Sequence, residues 1–272
     1  MYYPNEKTLQ EREIEKADTN RLIRHMSSSR KEQLDMFTNN DPKVLEAERK
    51  YGKYLFVPLA LPIFEMPEKE HFLSWWKDTM QVTKKLDGDA VMSGYGITPF
   101  ETVDLITEIG TQWWETNNKG DAFRKEFPHL WQQFNELLPC RKLLRLTLWS
   151  SRHEIQEHRD SAEMVDMPVS FRIKLYDENP EETLYLFDNP MNPYSCGEPH
   201  MLPRAPNTNS FVWNNLRVKH GSIYNPAHKK ILAFAFGLVD FERYHKLMET
   251  SINTYRDYCI SSDYSTENYV NI

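Results

Sequence analysis

The chain has 272 residues, 40% hydrophobic and 27% charged, enough apolar material for one large domain or two small ones. Its 33 basic against 40 acidic side chains leave a net charge of −7, which argues against a general nucleic-acid or anionic-membrane binder. Cys140, Cys196 and Cys259 are odd in number and far apart, forming neither a CxxC metal pair nor a disulfide framework, so a reducing cytoplasm is the expected compartment.

The first residues, Met1 to Lys7, lack the basic-then-apolar profile of a secretory signal. Residues 1–50 are densely charged, with Leu9, Ile14, Leu22, Ile23 and Met26 as a thin apolar stripe. They read as a helical arm packed on the body or on a second copy in a homodimer, or else as a partly ordered terminus. Residues 51–272 then form a single domain. The apolar stretch Tyr54–Phe64 contains Pro58 and Pro62 and falls short of the roughly 20 residues that span a bilayer. Helical spacing predicts three helices, through Phe72, Trp75, Trp76 and Met80; through Leu105, Ile109 and Trp113; and through Phe123, Phe127, Leu130, Trp131, Phe134 and Leu138.

From about Leu143 the period changes to two. Leu144, Leu146 and Leu148 alternate with Arg145, Thr147 and Trp149. Val169–Tyr176, Thr183–Phe187, Ser210–Trp213 and Ile231–Val239 also read as short strands, which predicts a sandwich or barrel over about 143–240. A C-terminal helix and tail follow over 241–272. The segment Asp188–Asn209 carries five prolines and is long for a hairpin loop, as lids and binding loops are.

Three strings resemble catalytic motifs and fail on spacing. His153-Glu-Ile-Gln-Glu-His158 has one residue too many for a zinc-protease helix, where its histidines would diverge by about 140°. His158-Arg159-Asp160 opens like a kinase catalytic loop, but Val165 stands where a magnesium ligand is needed. Gly94-Tyr95-Gly96 is too short to cradle a phosphate.

His158-x-Asp160 fits better as two metal ligands on one strand edge, because residues i and i+2 share a side. His220, in Val218-Lys-His-Gly-Ser-Ile-Tyr224 between two late strands, is the candidate third ligand. Two histidines and one carboxylate form the facial triad of non-haem Fe(II) oxygenases. Lys230, ten residues on, opens an apolar strand, and Arg172 and Lys174 share one face of another. A cation in an apolar barrel is costly without an anion, and a dicarboxylate cosubstrate needs one.

Together these residues resemble the Fe(II)/2-oxoglutarate-dependent oxygenases, nearest the aspartyl/asparaginyl β-hydroxylase-like branch, over about Leu143–Asp240. The matching segments are Leu144–Asp160, Val169–Tyr176 and Phe211–Phe236, with lysine replacing the usual arginine at Lys230. The resemblance implies an α+β fold whose core is a double-stranded β-helix (jelly-roll, cupin-like) with helices on one face. It implies that His158, Asp160 and His220 hold Fe(II), that Lys230, Arg172 or Lys174 binds 2-oxoglutarate, and that O2 is consumed with release of succinate and CO2. The reaction expected is hydroxylation, or a desaturation or cyclisation variant, on an amino acid, other small molecule or peptidyl side chain. Trp149, Arg152, Tyr176 and Arg204 are candidate substrate contacts. The competing readings are a cupin-like metalloenzyme that needs no 2-oxoglutarate and a catalytically silent β-sandwich.

Overall fold

A computed structural model describes residues 42–82, 101–108, 118–150, 155–158, 170–177, 182, 184–187, 199–213, 220–222 and 230–261. The expected arm over 1–50 therefore lies outside the described residues up to Asp41, and Gly94–Gly96 and His153 lie outside them too.

Five helices and twelve strands are seen among the described residues. They are α1 (Pro42–Tyr51), β1 (Tyr54–Pro58), α2 (Lys69–Thr79), β2 (Gln81–Val82), β3 (Glu101–Thr107), α3 (Gly120–Glu126) and α4 (Pro128–Leu137). There follow β4 (Cys140–Ser150), β5 (Ile155–His158), β6 (Phe171–Asp177), β7 (Leu184–Phe187), β8 (Pro199–Met201), β9 (Ser210–Trp213), β10 (His220–Ser222) and β11 (Lys230–Val239). The described residues end with α5 (Phe241–Thr254), a 3-10 turn and β12 (Ile260–Ser261). The strands form two antiparallel sheets. One runs β12-β1-β9-β6-β11-β4-β3-β2 and the other β5-β10-β7-β8. From β4 onward the chain passes back and forth between them, with β4, β6, β9 and β11 in the large sheet and β5, β7, β8 and β10 in the small one.

Period-two alternation assigns the faces of the large sheet. Leu146, Leu148, Phe171, Ile173, Val212, Ile231, Ala233 and Ala235 join one cluster with Phe72, Phe123, Phe134 and Tyr244 of the helices. Phe211, Trp213 and Leu232 point the other way, onto Leu184 and Leu186 of β7. The helices therefore cover one face and the small sheet covers the other. Each fully buried phenylalanine in these layers contributes about 1.5–3 kcal/mol.

Two expected elements differ. The stripe from Phe123 to Leu138 is two helices, because Pro128 disfavours helical geometry at Phe127 (φ −128°, ψ 63°) and then starts α4 at its first turn. The segment around Leu105 is strand β3, paired Thr102 to Trp149 and Asp104 to Thr147 of β4; Ile109 and Trp113 lie outside the described residues. Val103 and Leu105 are its alternate positions in the helix-side core, and a run of Thr, Val, Leu and Ile suits a pleated surface. The Asp188–Asn209 segment also holds an edge strand, β8, against β7.

At Gly237, where the β4–β11 register slips, a Cβ would sit 2.0 Å from the Lys142 carbonyl oxygen and 2.8 Å from the Leu143 Cα. Backbone on both counts gives little room to relax. Gly237→Ala is expected to lower unfolding free energy by about 1–3 kcal/mol in urea titration.

Candidate functional site

The two histidines of the expected triad are brought to adjacent positions. β10 pairs with β5 so that His220 stands opposite His158, and with β7 so that it stands opposite Leu186. His158 is described here by its backbone register, and Asp160 and Arg152 lie outside the described residues. Among the described residues no group of three metal-ligating side chains assembles.

His220 is buried, and its ring lies 4.4 Å from that of Trp213 on β9. The Arg172 guanidinium, only 1% exposed, lies 3.5 Å from the centre of the same indole and 4.8 Å from that of Phe234. Trp213 thus contacts both a cation and an imidazole. Arg172 Nη1 also donates to Ser170 Oγ at 2.5 Å. The Trp213 Nε1–H is buried and has no hydrogen-bond partner.

Lys230 and Lys174 occupy a different setting. Lys230 Nζ donates to Glu182 Oε1 at 2.5 Å and lies 3.6 Å from Asp177 Oδ2. Lys174 donates to Glu182 Oε2. Arg204 donates to Asp177 Oδ2 at 3.0 Å and sits 3.6 Å from Glu182 Oε2. Glu182 Oε1 also accepts from the Leu184 backbone N–H, which ties this cluster to the small sheet. Burial alone would raise the Glu182 carboxyl, but Lys174 and then Lys230 outweigh it and hold it at about 2. Burial pushes the Lys174 ammonium below its ordinary value, against the pull of Glu182.

Of the remaining expected contacts, Trp149 packs with Leu232 and Trp213 on the face between the sheets. Tyr176 does not. It joins the helix-side core, with Lys69 Nζ 5.2 Å from its ring centre. The register slip that pairs Ile231 with Tyr176 but Leu232 with Lys174 inserts Leu175 as an extra residue and reverses the alternation beyond it. Three residues of the region were missed by the sequence reading: Glu182, Asp177 and Trp213. The acidic run Asp177-Glu-Asn-Pro-Glu-Glu182 in the sequence, directly after a strand bearing Arg172 and Lys174, is the signal that could have found the first two.

No protein-family model matches the chain, and no curated protein does. Solved structures to which it is similar include a 2OG-Fe(II) oxygenase-family oxidoreductase from Burkholderia pseudomallei, at 12% identity and a TM-score of 0.42, covering 73% of this chain and 92% of that one. A Pseudomonas putida prolyl-4-hydroxylase gives 12% identity and a TM-score of 0.37 over 72% and 100% of the two chains. A prolyl hydroxylase from Trichoplax adhaerens, in complex with a hypoxia inducible factor peptide fragment, gives 11% and 0.37 over 89% and 98%.

The carboxylate at the centre of the ion cluster has a consequence for acid stability. Its carboxyl sits at about 2 in the folded chain against an ordinary 4.5, so its contribution is complete above about pH 4.5 and is lost as pH falls toward 2. The difference corresponds to about 3 kcal/mol. Wild-type unfolding free energy should drop by that order between those pH values. Glu182→Gln should be less stable at pH 7 by about 3–5 kcal/mol, because it leaves two buried ammonium groups facing a neutral amide, and its acid dependence should be shallower.

Proposed function

We propose that this chain is an Fe(II)- and 2-oxoglutarate-dependent oxygenase that hydroxylates an unactivated C–H bond of a small molecule or peptidyl side chain. One observation carries the reading. Antiparallel register sets His220 opposite His158, and on the His220 side the same site holds a buried guanidinium, Arg172, across the Trp213 ring.

The donor chemistry fits the metal. Two imidazoles on neighbouring strands, with the carboxylate Asp160 two residues past one of them, make a mixed nitrogen and oxygen set suited to Fe(II). His158, Asp160 and His220 would hold it. When bound, iron with a 2-oxo acid and O2 supplies an oxidant able to attack an unactivated C–H bond, with release of succinate and CO2. The strand path β4-β11-β6-β9 over β5-β10-β7-β8 supports a double-stranded β-helix core, and the resemblance over Leu143–Asp240 favours the aspartyl/asparaginyl hydroxylase-like branch.

The chain's own part is orientation and exclusion of water. Arg172 is the cation we assign to the distal carboxylate of 2-oxoglutarate. It projects on the face between the sheets beside Trp213 and Phe234, and a guanidinium matches a carboxylate with two parallel N–H donors. Lys230 and Lys174 serve instead to neutralise Glu182. Trp213 fixes both groups, pressing on the Arg172 plane and on the His220 ring, while Phe234, Leu232 and Trp149 keep the wall apolar.

Anaerobic addition of Fe(II) and 2-oxoglutarate should produce a visible metal-to-ligand charge-transfer band in the wild type and none in His220→Ala. Arg172→Met should keep the band but weaken 2-oxoglutarate binding by about tenfold to a hundredfold, or about 1.4–2.8 kcal/mol. A wild type without the band overturns the reading, and a band with Fe(II) but unchanged 2-oxoglutarate affinity in Arg172→Met moves the anchor elsewhere.

A further inference from the structure

Register fixes one row of side chains across the large sheet. Phe211 stands opposite Arg172, Arg172 opposite Phe234, Phe234 opposite Thr147, and Thr147 opposite Asp104. Directly opposed residues share a face, so the row runs on the face away from the helices, from the candidate anion anchor on β6 to Asp104 on β3. Three strand spacings separate Arg172 from Asp104, about 14 Å between backbones.

Asp104 is fully buried, yet half of its carboxylate is spoken for and half is not. Oδ1 accepts from Thr147 Oγ1 at 2.8 Å. That hydroxyl in turn accepts from Arg145 Nε at 3.2 Å, so its proton is committed to Asp104. Oδ2 has no hydrogen-bond partner. Two residues earlier on the same strand, and on the same face, Thr102 is 1% exposed and its Oγ1 likewise has no partner. Leaving a buried polar atom in that state is costly, more so when it is charged. Residues i and i+2 of a strand lie about 7 Å apart, so a single atom hydrogen-bonded to both groups fits between them.

We infer that Thr102 and Asp104 form a cation subsite that receives a primary ammonium group of the substrate. An ammonium has three donors and no acceptor, which matches a carboxylate oxygen and a hydroxyl lone pair. A carboxylate also favours a cation over a neutral donor. The subsite deepens the oxygenase reading and rests on it for calling the ligand a substrate. It narrows that substrate to amine-bearing molecules, whose ammonium end is held on β3, three strands from Arg172, whose neighbour Trp213 also contacts His220 of the small sheet.

Calorimetric titration of the metal-free full chain with n-butylammonium chloride tests it, with 1-pentanol and KCl as controls for shape and salt. Wild type should bind the ammonium, Asp104→Asn should bind it at least tenfold more weakly, and Thr102→Val severalfold more weakly. Pentanol and KCl should not distinguish the three proteins. Asn keeps the hydrogen bond from Thr147; if Asp104→Asn does not fold, Thr102→Val decides alone. No binding to wild type, or equal binding to both variants, overturns the subsite and is the result expected if the pair holds a buried water only. A missing charge-transfer band with intact ammonium binding would sink the oxygenase reading and leave the subsite standing; the converse would sink the subsite alone.

Discussion

Strand β11 is the constraint around which the molecule is built. Its backbone is bonded on one edge to β4 and on the other to β6 over most of its length. Its alternate side chains face the helices and the small sheet. No position on it is idle, and its first residue is a lysine buried to 2% exposure. An ammonium there is costly unless an anion accompanies it. Glu182 meets that need by accepting from Lys230 and Lys174 with its two oxygens, and its own environment keeps it ionised.

The basic residues of the inter-sheet layer therefore divide by role. Lys174, Lys230 and Arg204 gather on Glu182 and Asp177, a structural arrangement that fastens the ends of β6 and β11 to the start of β7. Arg172 lies against Trp213, Phe234 and Ser170, near the histidine of β10. One aromatic ring, Trp213, is in contact with both Arg172 and His220.

Much of this was legible in the chain. The leucines of β4, the apolar run of β11 and the helix through Phe72 and Trp76 follow from period, and the two histidines singled out in the sequence, His158 and His220, stand opposite each other in the register. The failures share a physical origin in single residues that reset a period. Pro128 cut one helix into two, and the extra residue Leu175 turned Tyr176 to the opposite face. Leu105 fitted both a helical and a strand repeat, and only its partner β4 decided between them. Glu182 and Asp104 were hidden for another reason: isolated acids in a charged sequence give no local sign of burial, which long-range packing alone confers.

The placement of Glu182 also bears on the loops that folding must close. Lys174 and Glu182 are eight residues apart, a loop that an unfolded chain closes in roughly 10–100 ns, whereas Lys230 lies 48 residues further on. The Lys174–Glu182 pair thus needs only a short local loop, whereas the Lys230–Glu182 pair needs β11 brought from far along the chain, so one carboxylate joins a local contact to a long-range one.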